Sequence, residues 1–532
     1  MKRRTLLVAG TRLVAGTVGL AMPHVGHAQG SRVLRFIPQA DLSTLDPHWN
    51  TAYVTRNHGF MVFDTLYGID GQYRASPQMV AGHTMEADGL RWTLILRDGL
   101  RWHDGTPVLA RDCAASIRRW GAKDTYGQAL LAATDELSAP DDRRIVFRLK
   151  RPFPLLPDAL AKSGVYMPAM MPERLALTDP STQVMEMVGS GPFRFKADER
   201  VPGARAVYER FDGYVPLPTG VPDRTSGPKV AYVDRVEWTT VPDPATAAAA
   251  LQQGETDWWD YASADLLPLL RRNGAIKVEV QDPAGQIALM RMNHLQPPFN
   301  NPAIRRAVLG AVRQADFLTS FMGEDRALWR DGAGMFTPGT PLANDAGLTA
   351  LTGPRDLDRV RRELKDAGYK GERTVLIVPA DFPNLKAMAD VGADMLTRIG
   401  MNVDYQATDW GTLLTRRAKK DPVDAGGWSA FFTFGAGTDQ ASPAANLMLR
   451  ANGANAWFGW PDDPEIERLR DAWFIAPDLP AQRRIAADLQ RRAFETVPYI
   501  PLGQYFQPTA YRTSLTGVLS GFSIFWNVRK ES

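Results

Sequence analysis

The chain has 532 residues, 44% hydrophobic and 23% charged, with 14 tryptophans, which is the composition of an ordinary globular protein long enough for two or three lobes, since single cores stop growing at roughly 250–300 residues. Its formal charge of +3 is not a signal for nucleic acid: the first 28 residues hold four positive charges (Lys2, Arg3, Arg4 and Arg12) and no acidic ones, so without them the charge is −1. Beyond those residues no run could span a bilayer.

The N-terminal stretch reads as an export signal. Lys2, Arg3 and Arg4 form a basic start, residues 6–20 a weakly apolar middle, and Gly26-His27-Ala28 a small-residue end. The Arg3-Arg4 pair also fits a twin-arginine signal, and a frayed basic terminus is the alternative. The one cysteine, Cys113, cannot form an internal disulfide, and none lies near the signal end to carry a lipid. Free residence in an exported compartment, the periplasm, is the expectation.

Residues 33–37 are a predicted strand. Thr44-Leu45-Asp46-Pro47 follows as a turn. The alternation of residues 91–97 predicts a half-buried strand, Asp98-Gly99 a tight turn, and residues 100–102 a second short strand folding back on the first. After Asp104-Gly105 and Pro107, a helix is expected over 108–120, with Asp112 in its first turns. Residues 145–154 suggest a strand and a turn. Gly189, Gly191 and Pro192 mark a strand entry where special backbone angles are expected.

Residues 230–260 read as strand and alanine-rich helix, followed by Gly254-Glu255-Thr256-Asp257-Trp258-Trp259-Asp260. Asn301 suits an N-cap with Pro302 at the first helical position, and Arg305-Arg306 reads as a solvated helix face. From 356 to 434 helix and strand alternate: Leu357, Val360, Leu364 and Ala367 share one helical stripe, residues 374–378 are a strand, Leu385, Met388, Met395 and Ile399 line another helix, and 402–407 is a strand. Residues 410–420 are helical, and 427–434 is apolar enough for a buried strand. Such alternation means an α/β lobe with helices on both faces of a sheet.

Several stretches together resemble the family 5 extracellular solute-binding proteins, the periplasmic receptors for oligopeptides, dipeptides and nickel in ABC importers. They include Asp88-Gly89-Leu90-Arg91-Trp92-Thr93, Trp102-His103-Asp104-Gly105-Thr106-Pro107, Gly189-Ser190-Gly191-Pro192-Phe193, Asn301-Pro302-Ala303-Ile304-Arg305 and Tyr499-Ile500-Pro501-Leu502, in the family's order across nearly the whole mature chain. The resemblance implies an α/β fold of the periplasmic binding protein type II kind, two large lobes plus a small extra domain, closing on a ligand by hinge motion. Lobe I is expected from 29–68, 196–288 and 508–532, the small domain from 69–195, and lobe III from 289–507. It further implies a non-enzymatic monomer without cofactor that carries a small-molecule solute to an inner-membrane ABC permease and its ATPase.

At the ligand the chain departs from the family. Peptide receptors hold the ligand's ammonium on a carboxylate three residues after a Trp, because an unpaired buried charge costs several kcal/mol; counting from Trp428, that position is Phe431. Dipeptide receptors hold the carboxylate with an Arg and a Tyr, where this chain has Asp381-Phe382-Pro383-Asn384. Asp439 is a candidate replacement anion. Phe431, Phe432, Phe434, Trp457, Phe458 and Trp460 would form an aromatic wall for an apolar or flat cationic solute, or would in part be core. Expected ligand contacts are Ser43, Thr44, Phe382, Asn384, Trp428, Phe431, Phe432 and Asp439, the first two through the loop at Thr44-Leu45-Asp46-Pro47, which is alternatively a plain surface turn. The expected ligand is peptide-like, aromatic or cationic, and not an ordinary free dipeptide. A metal-chelate receptor of the same fold is the alternative. An exported hydrolase is disfavoured, as the chain has no Gly-x-Ser-x-Gly and its seven histidines lack His-x-x-x-His spacing; these absences also speak against a dedicated zinc site.

Overall fold

The computed structural model describes residues 32–476 and 478–531; the export-signal stretch lies outside them. Alternating side chains build the local elements. In the strand Arg91–Leu96, Trp92, Leu94 and Leu96 point inward while Arg91 and Ile95 are exposed. It is flanked by Val80–Met85 and Arg144–Leu149, and with Thr134–Ser138 these form a four-stranded antiparallel sheet. The predicted fold-back of residues 100–102 on this strand does not occur. Both edges of Arg91–Leu96 are already occupied, and Arg101 instead bridges Pro107 within its own turn. The helix after it is Ala110–Gly121, where the Asp112 carboxylate accepts the Leu109 N–H (2.9 Å), the Trp102 indole (3.2 Å) and the Glu173 N–H (2.9 Å).

A seven-stranded sheet runs Ile276–Val280, Pro508–Arg512, Trp258–Trp259, Val33–Ile37, Arg235–Thr239, Arg205–Arg210, Phe193–Phe195. Its centre is parallel, Val33–Ile37 pairing with Arg235–Thr239 and Trp258–Trp259, and Phe36 packs there against Trp238, Trp258 and Phe525 with centroids 4.9–5.4 Å apart. A six-stranded sheet runs Trp329–Arg330, Ile500–Tyr505, Gln286–Met292, Ala430–Ala436, Arg373–Pro379, Asn402–Thr408. Its helices Leu357–Asp366, Pro383–Arg398 and Trp410–Arg416 alternate with strands as the periodicity predicts.

The chain crosses between the two large sheets at residues 281–285 and again at 506–507. The crossings are close-packed on one another. Gly285 has φ +60, and a Cβ there would stand 2.5 Å from the Tyr505 carbonyl, so glycine is required both by conformation and by space.

Gly189 and Gly191 are needed for a different reason from the one expected. Neither adopts a positive φ. A side chain at Gly189 would overlap the Val62 carbonyl, and one at Gly191 would lie 2.6 Å from the Met61 carbonyl; the backbone simply runs against helix Tyr53–Val62. Arg305 is also not on a solvated face. It is buried and donates to the Phe299 (2.7 Å) and Thr496 carbonyls (2.6 and 3.0 Å), capping the negative end of helix Leu479–Thr496; only Arg306 reaches solvent. Asn301 caps its helix as predicted, accepting the Ala303 N–H at 2.9 Å.

Candidate functional site

The site is built at the carboxyl ends of strands, where open parallel sheets leave a crevice. After Val33–Ile37 comes Gln39, after Trp258–Trp259 come Asp260 and Tyr261, after Arg373–Pro379 come Asp381 and Phe382, after Asn402–Thr408 comes Trp410, and after Ala430–Ala436 comes Asp439. These loops meet around three small cavities, and Gln39 lines all three. Groups from the two large sheets face one another across them.

Phe434 is the hub of the aromatic wall. It stacks on Tyr53 (5.4 Å, 12°) and meets Tyr261, Phe382 and Tyr505 at 6.0–6.2 Å. The first cavity is closed by Tyr53, Asp439, Arg417, Trp410 and Trp457. The Tyr53 hydroxyl donates to Asp439 Oδ2 at 2.8 Å and accepts the Ala436 N–H, tying helix Tyr53–Val62 to strand Ala430–Ala436. Asp439 also accepts the Val165 N–H at 3.4 Å and lies against Gly164. Burial pushes its carboxyl above the ordinary range, and nearby Lys162 works against that shift. The Arg417 guanidinium lies over the rings of Phe458 (4.8 Å) and Trp457 (5.3 Å).

The second cavity sits at the crossings, lined by Gln281, Asp282, Gly285 and Gln507 together with Arg56 and Asp260. Asp260 Oδ1 accepts the Ser523 hydroxyl, while Oδ2 is buried without a partner. Burial raises this carboxyl to about 6, against the pull of Ser523 and Arg56. Arg56 donates to the Asn57 side chain (2.8 and 3.1 Å) and lies over Phe522 and Tyr53. The third cavity brings Asp41 and Asp381 together. Each carboxyl is raised by burial, and Asp381 raises Asp41 further.

Of the residues singled out from the sequence, Phe382 and Asn384 line the third cavity and Asp439 the first. Asn384 donates to Gln507 at 2.8 Å. The others lie elsewhere. Trp428 is buried with its indole on the Arg417 carbonyl (3.1 Å), Phe431 packs between Trp428 and Trp457, and Phe432 stacks on Phe317 beneath helix Gln314–Met322. Thr44 accepts the Asn50 amide (3.0 Å) and the Ser43 carbonyl faces Arg200. Their loop is neither a surface turn nor an open one: Asp46 is fully buried on Arg119 at 2.7 Å. Gln39, Tyr53, Arg56, Asp260, Tyr261 and Arg417 went unselected, because each stands alone in the sequence and only the meeting of the two sheets groups them.

Among the described residues no three His, Cys, Asp or Glu side chains are grouped to hold a metal, and His48, His58, His83, His103 and His294 line none of the three cavities. No helix among them is long and apolar enough to cross a membrane. The arrangement can desolvate a small solute between aromatic faces and hold it with a few fixed polar groups.

An α/β chain whose two large sheets are joined by paired crossings, with cavities at the strand ends between them and a small third sheet alongside, is a solute-binding protein of type II periplasmic fold. The same fold is seen in a Helicobacter pylori periplasmic binding protein, DppA, in complex with the peptide STSA (TM-score 0.78, 21% identity, 94% of this chain and 98% of that one) and in AgaA of A. tumefaciens R10 in complex with agropinic acid (TM-score 0.77, 20% identity, 94% and 99%). The family model of bacterial extracellular solute-binding proteins, family 5, matches residues 74–457, and a Sinorhizobium fredii protein described as a probable peptide ABC transporter periplasmic-binding protein, y4tO, is 37% identical over 100% of this chain and 99% of its own. The chain belongs to family 5 of the extracellular solute-binding proteins.

Proposed function

We propose that the chain is exported to the periplasm by its first 28 residues, binds a peptide-like solute as a monomer, and delivers it to an inner-membrane ABC permease. Residues 29–68, 196–288 and 508–532 then act as one lobe and 289–507 as the other, with 69–195 as the small domain. The arrangement described above is the closed state, and Phe382, Asn384 and Asp439 contact the solute. The carrying observation is the row of three cavities at the strand ends, walled by rings and sharing Gln39. Hinge closure over such a row buries most of a short chain-like molecule. The Helicobacter pylori protein's bound peptide and the Sinorhizobium fredii protein's description support the same ligand class.

Mass spectrometry of the solute recovered from the purified protein, followed by small-angle scattering with and without it, tests the reading. A peptide-like compound and a smaller radius of gyration on binding are expected. Unchanged scattering across a broad solute library would refute it.

A further inference from the structure

Seven arginines are buried among the described residues, and they differ in how their charge is satisfied. Arg119 and Arg224 have carboxylate partners, Asp46 and Asp282. Arg291 is caged by the carbonyls of Phe458, Met448, Pro498 and Trp457 at 2.6–3.0 Å. Arg305 has the Phe299 and Thr496 carbonyls, and Arg470 the Pro443 carbonyl with Glu467. The Arg119 and Arg224 Nε atoms are also buried without a partner, but all five of these cations are held by a countercharge or by backbone carbonyls. Arg56 and Arg417 are not, and both line cavities. Arg56 at least shares its cavity with the free Asp260 oxygen.

Arg417 is the less compensated of the two. It is 3% exposed. Its hydrogen bonds run through Nη2 alone, to Thr51 Oγ1 at 3.0 Å and, at the limit of bonding, to Asn50 Oδ1 at 3.4 Å; Thr51 Oγ1 is already taken by the Trp457 indole (3.2 Å). Nε is buried with no partner. Among the described residues no carboxylate lies within ion-pairing distance of it, and Asp439 in the same cavity is occupied by Tyr53 and Val165. Burial lowers the Arg417 pKa to about 10, as it does for Arg470 beside Glu467, so the missing countercharge is read from the geometry alone.

We infer that Arg417 is the anchor for a carboxylate of the solute, so that the bound molecule carries a free carboxyl group set beside an apolar or aromatic portion. The geometry supplies the specificity. Phe458 and Trp457 clamp the guanidinium plane, which fixes the direction of the N–H fork, and a fork of fixed direction matches a planar carboxylate and not an amide. Thr51 and Asn50 belong to the loop after Val33–Ile37 and Arg417 to the end of helix Trp410–Arg416. The anchor therefore also joins the two sides of the cleft. A carboxylate seated there would take up the free Nε and favour the closed form, since a ligand shifts a conformational equilibrium only by contacts it makes in one state.

This inference rests on the peptide-like ligand reading, and the test separates the two. The full mature protein, unfolded and refolded to strip its solute, would be incubated with two matched tripeptide libraries, one with free C-terminal carboxylates and one C-terminally amidated. Retained peptides are identified by mass spectrometry and the best binders titrated by calorimetry. Wild type should prefer the acid to its amide by about 30-fold, equivalent to about 2 kcal/mol, and Arg417→Gln should bring the acid down to the amide's affinity while leaving the amide within about threefold, as expected when one charge-assisted contact is removed. Should Arg417→Gln fail to fold by circular dichroism, Arg417→Lys carries the test: it keeps the charge without the fork, and the acid preference should shrink but persist. Equal binding of acids and amides by wild type overturns this inference alone. So does an equal loss of both series in a folded variant. If neither library binds wild type, the peptide-like reading falls with it.

Discussion

Replacing Gly164 by alanine separates closure from folding. Gly164 does not need a positive φ, so alanine costs little in backbone conformation, and in an unliganded open form the substitution gains about 0.4–1 kcal/mol of stability by restricting the unfolded chain. In the closed form the new Cβ would overlap the Asp439 carboxylate. Two escapes exist. Asp439 can rotate, forfeiting the 2.8 Å bond from Tyr53 and the weaker one from Val165, at about 1.5–3 kcal/mol for a charge-assisted bond. Alternatively the segment around 164 can shift, at the 1–3 kcal/mol typical of overpacking. The cheaper escape decides, so closure loses about 1–3 kcal/mol, and affinity for the solute recovered from the protein should fall roughly 5- to 150-fold. The assay pairs calorimetric titration with thermal unfolding of the empty protein. Affinity should fall while unliganded stability holds or rises. Affinity unchanged within about twofold would refute the contact between Asp439 and Gly164 in the liganded state, and a matching loss of unliganded stability would show that the two sides are packed together at all times.

The buried pair of Asp46 and Arg119, 2.7 Å apart, predicts that Arg119→Met loses about 3–5 kcal/mol in urea unfolding, because the carboxylate stays buried with only the His48 and Val184 N–H groups, whereas Asp46→Asn with Arg119→Met recovers a large part of it. Asp260, raised from 3.8 to about 6, binds its proton more tightly folded than unfolded, so its ionisation opposes folding. Stability should decline as pH rises from about 4 through 6, by up to about 3 kcal/mol. Asp260→Asn should remove that decline, appearing more stable than wild type above pH 6 and equal to it near pH 4; a difference that does not depend on pH would exclude Asp260 as its source. Gly189→Ala should cost 2 kcal/mol or more in the same unfolding assay, on the scale of overpacking against rigid backbone, while Gly82→Ala, where an added Cβ meets nothing within 4 Å, should be near neutral.

The elements legible in the sequence are those whose cause is local. The alternation of Arg91–Leu96, the Asn301-Pro302 cap and the stripes of residues 356–434 each follow from a short period, and the structure has them where the periods place them. Expectations failed where a distant partner decides. Residues 100–102 make no strand with Arg91–Leu96 because strands from elsewhere hold both of its edges, and Arg305 turns inward because the end of a helix some 190 residues on lacks donors. The same division runs through the site. The match to the family's anchor position made Phe431 a candidate contact and the expected aromatic wall added Phe432, but a strand sends successive side chains to opposite faces: Phe431 lies on the Trp428 and Trp457 side and Phe432 on Phe317, so neither lines any of the three cavities. Phe434, on the same face as Phe432 but at the strand's carboxyl end, does. Position along a strand, more than residue type, separates core from cavity wall in this fold. The polar groups obey the same logic, since Arg417, Asp439 and Asp260 each lie just beyond a helix or strand end, where the backbone stops satisfying itself and side chains are free to face the cleft.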